Sequence, residues 1–565
     1  MPDTANTVIG HIVDVQGNQL MATLVEDEQG RAPTVTIGDE DILVGQLGSY
    51  VAVKQNNVHI IAIVTRMAEQ ESLAAPTIET PGDDIARLPF AKRMARLTPV
   101  GSVLAEGQFE RGVARYPTTG AEVHAIGSNE VAKMFDRFQS KGLAVGTLAS
   151  HLSLKVCLDP TNLFGRHAAI LGQTGSGKSW TVASLVQRTI AVMPKAHIII
   201  LDLHGEYCWA RAGKMHFAFD DAVVRHVDAR VLEIPYWLMT YAELCDLLIE
   251  HSEREAKNQT AFFRDCLLEA RKRENTIPTL GLAGVTVDTP IYFSLVALRD
   301  FIESKNGKIP NAKGDGFKAG PLTGTFDNFL MRLDSKLNDV RYDFLLKPKI
   351  RNTSASLSGL LRDFVGLGSK KVPVTVIDLS SVPFDVRPTV AAQIGRLAFE
   401  FNYWNPQYRE FPILLICEEA HVYIPRAAES QFAGSRKSME RIAKEGRKYG
   451  VGLMIVSQRP HEVSETVLAQ CGTFICLRIT NPDDQGYVRR LVPESEGDLV
   501  SILAGLGRGE ALVLGEAVPL PTRVQFDRPS PAPNSDDVDF YAKWKDGPED
   551  LNVDEIVKRW RSQQR

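Results

Sequence analysis

Eight consecutive residues, Gly172-Gln173-Thr174-Gly175-Ser176-Gly177-Lys178-Ser179, follow the spacing G-x-x-x-x-G-K-S, and that pattern suits the cradling of nucleotide phosphates. Glycines let successive backbone N–H groups curl round a β-phosphate, and a helix starting at the end of the run adds the positive end of its dipole. Lys178 has the charge and reach to meet the β- and γ-phosphates, while the Ser179 hydroxyl offers an oxygen to Mg2+. Trp180 follows directly and is counted with the nucleotide-binding residues. ATP and Mg2+ are the cofactors this chemistry requires.

A phosphate loop needs acids to hold the metal and to polarise the attacking water. The apolar run Phe411 to Cys417 closes in Glu418-Glu419; Glu418 would hold Mg2+ through water and Glu419 would polarise the nucleophile. The run His197 to Leu201 closes in Asp202-Leu203-His204-Gly205-Glu206. Asp202 and Glu206 are candidates for positioning water or Mg2+, with capping of a following helix as the alternative. Gly452 to Val456 ends in Ser457-Gln458-Arg459-Pro460, and an amide at a strand tip beside a nucleotide can sense the γ-phosphate, which makes Gln458 the candidate sensor.

These residues need a scaffold that brings strand ends together. Ala168 to Leu171 leads into the phosphate loop as a strand, and Trp180 to Val192 continues from it as a helix. Val374 to Asp378 reads as another buried strand, followed by a helix over Val390 to Phe401, and Thr473 to Arg478 and Glu510 to Leu514 supply further strands. Apolar strands with polar tips are the mark of a parallel α/β sheet. Residues 236–346 interrupt this alternation as a helical insertion, with helices over Ala242 to Ile249 and Phe293 to Glu303 and a mobile loop over Lys305 to Pro321. Arg271, Lys272 and Arg273 read there as a solvated helix end. Arg436 to Tyr449 is helical and basic, with Lys437, Arg441, Lys444 and Lys448 on one face. That face is either a solvated surface or a source of an arginine finger or of contacts to DNA phosphates.

From Thr7 to Thr65 short apolar runs alternate with turn signals, the pattern of a small barrel, and Gly101 to Ile126 adds strands to it. Glu69 to Asp84, polar and with two prolines, reads as a surface connection. Beyond Arg528 a Pro- and Asp-rich stretch and a polar final helix form a tail. The seven cysteines are scattered without metal spacing and read as buried free thiols. At net charge -5 no global basic field is present, so any DNA contact has to be a local patch. No apolar run reaches bilayer length and the start Met1-Pro2-Asp3-Thr4 is not a signal peptide, so no membrane association and a cytoplasmic location are expected.

The loop Gly172 to Ser179, Asp202-Leu203-His204-Gly205-Glu206-Tyr207, Glu418-Glu419-Ala420-His421, Glu445-Gly446-Arg447-Lys448-Tyr449-Gly450 and Ser457-Gln458-Arg459-Pro460 occur in that order. Together they resemble the HerA branch of the HerA/FtsK ATPases. The segment holding Arg111-Gly112-Val113 and Tyr116-Pro117 is similar to that family's barrel domain, so the resemblance covers most of the chain. The fold class expected is therefore α/β, a RecA-like P-loop ATPase core with an N-terminal small β-barrel and a helical insertion. The boundaries expected are 1–145 for the barrel, 146–235 and 347–528 for the two parts of the core, 236–346 for the insertion and 529–565 for the tail.

The resemblance implies a homo-hexameric ring that hydrolyses ATP and threads double-stranded DNA, paired with a nuclease or a sirtuin-like NAD-consuming effector, in antiphage defence or DNA end processing. On that basis Lys178 and Ser179 match the phosphate and metal positions, Glu419 the catalytic acid and Gln458 the sensor. Arg447 is then the trans-acting finger, with Arg441 as second choice. The family usually shows Asp before the catalytic Glu, where this chain has Glu418. Two competing readings are a ring acting mainly as a scaffold that activates an effector, and a secretion-type motor.

Overall fold

The computed structural model describes residues 7–562 apart from 27–33, 38–39, 57, 72–90, 104–108, 140, 212–213, 229–230, 232, 250–255, 311–316, 385, 428–432 and 549. The chain forms two compact units, the first made of residues 1–192, 457–461 and 471–529, the second of 193–456, 462–470 and 530–565.

In the first unit, strands Val8–Gln16, Gln19–Leu24, Tyr50–Gln55, Val58–Glu71, Ala91–Val103 and Glu122–Ala125 pair antiparallel. Gln19–Leu24 also pairs with Ala91–Val103, Leu20 opposite Leu97, and this second partnership closes the sheet into a barrel. Alternate residues point inward, so Ile12, Leu20, Val53, Ile60, Leu97 and Val123 form its buried core. The expected polar connection from Glu69 is corrected: Glu69 to Glu71 continue a strand, with Glu69 opposite Arg93, because ladder pairing overrides their polar character. The remainder of that segment lies outside the described residues.

The same unit carries six strands in the order His151–Leu158, Leu143–Leu148, Thr522–Phe526, Glu510–Gly515, Thr473–Cys476, Ala168–Leu171. Only the last pair is parallel, Ala168 opposite Thr473. The barrel is bonded to this sheet by Tyr50, whose hydroxyl donates to the Pro521 carbonyl at 2.8 Å. Arg111 does the same at a second point, donating to the Gly515 carbonyl at 2.7 Å and to Glu496 at 2.6 Å.

The second unit is built on five parallel strands in the order Val451–Ser457, Ile413–Cys417, Ile198–Asp202, Val374–Asp378, Val224–Asp228. Ile200 sits opposite both Val376 and Ile416. The three central strands are buried almost throughout, which is why they read as unbroken apolar runs. Helices Arg387–Tyr403 and Ala433–Glu445 also belong to this unit. The sequence missed Val224–Asp228 and the hairpin Cys208–Arg211 with Lys214–Phe217, both too short and polar to announce themselves.

The insertion is helical, with Tyr241–Leu248, Ala256–Arg273, Leu295–Asn306 and Asp327–Leu337, and Phe262 and Phe263 of the second helix pack on Phe326 and Phe329 at the start of the fourth. Two expectations are corrected. The loop expected over Lys305 to Pro321 begins inside a helix and contains the antiparallel pair Lys308–Pro310 and Phe317–Ala319. Arg271 is not solvated: it is wholly buried, donates to the Met239 carbonyl at 2.8 Å and lies 5.6 Å from the centre of the Phe293 ring. All seven cysteines are buried and free. Among the described residues no helix is long and apolar enough to cross a membrane.

Candidate nucleotide site

The phosphate loop lies in the first unit between the strand Ala168–Leu171 and the helix Lys178–Val192. Lys178 and Ser179 are the first residues of that helix, where backbone N–H groups lack helical partners and the dipole is positive. Gly177 adopts φ +103°, and a Cβ there would sit 3.1 Å from the Gly509 nitrogen, so both torsion and space require glycine. The Lys178 ammonium donates to the Gln173 carbonyl at 3.2 Å. The loop is tied down further: Gln173 Oε1 accepts from Thr480 N at 3.0 Å and Thr480 Oγ1 at 2.6 Å. Gly509 N donates to the Ser176 carbonyl at 3.0 Å.

Gln458 lies against the loop, its Oε1 accepting from Thr174 Oγ1 at 2.5 Å. Trp180 lies under a cation, with the Arg508 guanidinium 5.3 Å from its ring centre. Thr480, Arg508 and Gly509 were not singled out in the sequence. The pair of glycines around Arg508 was the one available signal.

In the second unit Glu418 follows the strand Ile413–Cys417 and is almost fully buried. Its N–H donates to the Leu201 carbonyl at 3.3 Å, its carbonyl accepts from the Tyr423 hydroxyl at 3.0 Å, and its Oε1 accepts from the Tyr207 hydroxyl. Burial lifts this carboxyl well above the usual carboxylate range, and Glu206, Glu419 and Asp202 push the same way against the Tyr207 bond. Glu419 adopts φ +46°, ψ +45°, a left-handed conformation that costs a non-glycine residue about 1–2 kcal/mol. Its Oε2 lies 3.3 Å from His421 Nδ1. Strain of this kind persists only where the surroundings impose it, and it concentrates at working sites.

Asp202 takes the capping alternative, for a turn instead of a helix. Its carboxylate accepts from four backbone N–H groups, those of His204, Gly205 and Glu206 on Oδ1 and that of Tyr207 on Oδ2. Burial pushes its pKa up to about 6 although those N–H bonds favour the charged form.

The basic helix ends earlier than expected: Ala433–Glu445 is α-helical and Gly446–Tyr449 turns tighter, so Lys448 leaves the common face. Arg441 is engaged within the unit, its guanidinium 4.3 Å from the Phe399 ring centre and 5.6 Å from that of Tyr403. Arg447, on the tighter turn, is exposed.

The Ser179 hydroxyl in the first unit and the Glu418 carboxyl in the second are each hard oxygen donors of the type Mg2+ takes beside phosphate and water, so each fits the ion by its chemistry. A glycine-framed loop at a helix N-terminus, with acids at the end of a buried parallel strand, defines a P-loop ATPase.

Residues 143–398 match the family model for the central domain of the helicase HerA, and residues 410–533 that of the HerA-like C-terminal domain. A probable DNA double-strand break repair helicase HerA of Methanocaldococcus jannaschii is 31% identical over 420 residues, 71% of this chain and 80% of the relative. The DNA double-strand break repair helicase HerA of Pyrococcus furiosus is 28% identical over 432 residues, 73% of this chain and 74% of the relative. The solved structure of VirB4 of Thermoanaerobacter pseudethanolicus, 15% identical, superposes with a TM-score of 0.46 over 69% of this chain and 97% of the other. This chain belongs to the HerA helicase family, and it is an ATPase.

Proposed function

We propose that the chain is an ATP-driven translocase of double-stranded DNA that works as a homo-hexameric ring beside a nuclease or NAD-consuming effector, in antiphage defence or DNA end processing. The strained backbone of Glu419 at the end of a buried strand is the observation that carries the hydrolytic part. The DNA part is supported by relatives named as DNA double-strand break repair helicases.

Gly172 to Ser179, with Trp180 beside them, bind the nucleotide, and Lys178 exchanges its bond to Gln173 for the phosphates. Ser179 and Glu418 would hold Mg2+, which would supply positive charge beside the phosphate oxygens. Glu419 orients and polarises the attacking water, and Gln458 senses the γ-phosphate. Arg447 reaches the neighbouring subunit's nucleotide as a finger; Arg441, stacked on Phe399, is the weaker choice. Asp202 sets the turn that carries Tyr207.

The test is steady-state ATP turnover of the purified protein with and without double-stranded DNA, alongside its mass in solution. Stimulation by DNA in a hexamer-sized particle supports the translocase, and Lys178→Ala abolishes that turnover. ATPase activity indifferent to DNA favours the second reading, an ATPase scaffold that assembles and activates an effector, toward which the net charge of -5 leans.

A further inference from the structure

Tyr207 is wholly buried and held on several sides. Its N–H donates to Asp202 Oδ2 at 2.9 Å, its carbonyl accepts from Ala218 N at 2.8 Å, and its ring stacks on Phe219 with centroids 6.0 Å apart. The phenol is therefore a fixed pointer, and its hydroxyl donates to Glu418 Oε1. Glu418 is fixed in its main chain by Leu201 and Tyr423, yet a glutamate keeps three side-chain torsions, the last of them soft. With Oε1 held by Tyr207, the carboxyl cannot turn about that last torsion without breaking the bond, so the direction of Oε2 is set too.

We propose that Tyr207 is a positioning residue for metal-dependent nucleotide binding: its hydroxyl anchors Glu418 Oε1 so that the other carboxyl oxygen is presented in a single orientation. The inference rests on the role proposed for Glu418. A buried hydroxyl that merely satisfied itself on the nearest acceptor would affect folding stability and nothing else. A partner that orients a metal-holding group changes the metal dependence of binding, typically 10–100-fold.

The experiment titrates the fluorescent nucleotide mant-ATP into the full chain, in EDTA and across a MgCl2 series, with thermal unfolding of every variant. Tyr207→Phe is expected to bind in EDTA as the wild type does and to need about tenfold more Mg2+ for half-maximal binding. Glu418→Gln is expected to shift the same quantity at least as far. If Glu418→Gln shifts the Mg2+ dependence and Tyr207→Phe does not, the inference about Tyr207 is overturned while the role of Glu418 stands. If neither shifts it, the role of Glu418 fails first. Glu418→Asp serves if Tyr207→Phe does not fold: its shorter side chain gives up the Tyr207 bond, so an unshifted Mg2+ dependence overturns the inference as well.

Discussion

Thr174 Oγ1 donates to Gln458 Oε1 at 2.5 Å, joining the phosphate loop to a residue 284 positions away. The bond occupies the amide's acceptor and leaves its two N–H donors for a phosphate. Thr174→Val removes the hydroxyl without changing the shape of the loop and frees the amide to rotate. One such bond contributes about 0.5–1.5 kcal/mol, so kcat for ATP is expected to fall roughly two- to tenfold, with Gln458→Ala more severe. Steady-state kinetics that show an unchanged kcat for Thr174→Val would detach the sensing role proposed for Gln458 from its bond to the loop.

Glu419 holds its left-handed backbone at a cost in stability, and the catalytic role proposed for it can be separated from that strain. Glu419→Gly releases the left-handed strain and is expected to stabilise the second unit by about 1 kcal/mol, seen as a higher Tm, while turnover disappears. Glu419→Gln keeps the backbone and the strain, so its Tm stays near the wild type while hydrolysis is lost and mant-ATP binding remains. Thermal scans beside ATPase assays check both, and a Glu419→Gln variant with full turnover would remove Glu419 as the catalytic acid.

The core strands could be read from the sequence because a strand buried on both faces has no choice but to be apolar, as in Ile198–Asp202 and Ile413–Cys417. The phosphate loop was legible because its chemistry is local: glycines, lysine and serine act within eight residues. What stayed hidden depends on distant parts of the chain. Arg271 reads as the start of a basic helix end, and the carbonyls of Trp237, Met239 and Thr289 with the Phe293 ring make its burial tolerable. Asp202 reads as a metal-site acid until the turn folding back on it supplies N–H donors. The positive φ of Glu419 has no sequence signal, since glutamate rarely adopts it.

Asp202 also gives a pH signature. Its folded pKa of about 6 stands above the ordinary aspartate value of 3.8, with burial as the main cause. The folded state thus binds the proton more tightly, and the stability this group contributes is fully present below 3.8 and lost as pH rises through about 6. The stability of the wild type relative to Asp202→Asn is expected to fall across that window and to level off above it. Tm of both proteins measured from pH 4 to 8 checks this; a difference that grows with pH would contradict the sign.

Arg447 and Arg441 are separated by what each touches. Arg441 stacks on Phe399 and Tyr403, so Arg441→Ala is expected to lower stability by about 0.5–1 kcal/mol. Arg447 is exposed on its turn, so Arg447→Ala leaves Tm unchanged and stops turnover in the assembled ring. Complementation then tests whether it acts across subunits. Arg447→Ala subunits keep Glu419, and Glu419→Gln subunits keep Arg447, so each variant is inactive alone. In a mixed ring an intact acid meets an intact finger wherever the two kinds adjoin in the right order, which random mixing gives at about a quarter of the sites. Recovery of turnover on mixing supports a finger that crosses the interface. Mixed rings confirmed by mass that stay inactive would place Arg447 in its own subunit's chemistry or outside the chemistry altogether.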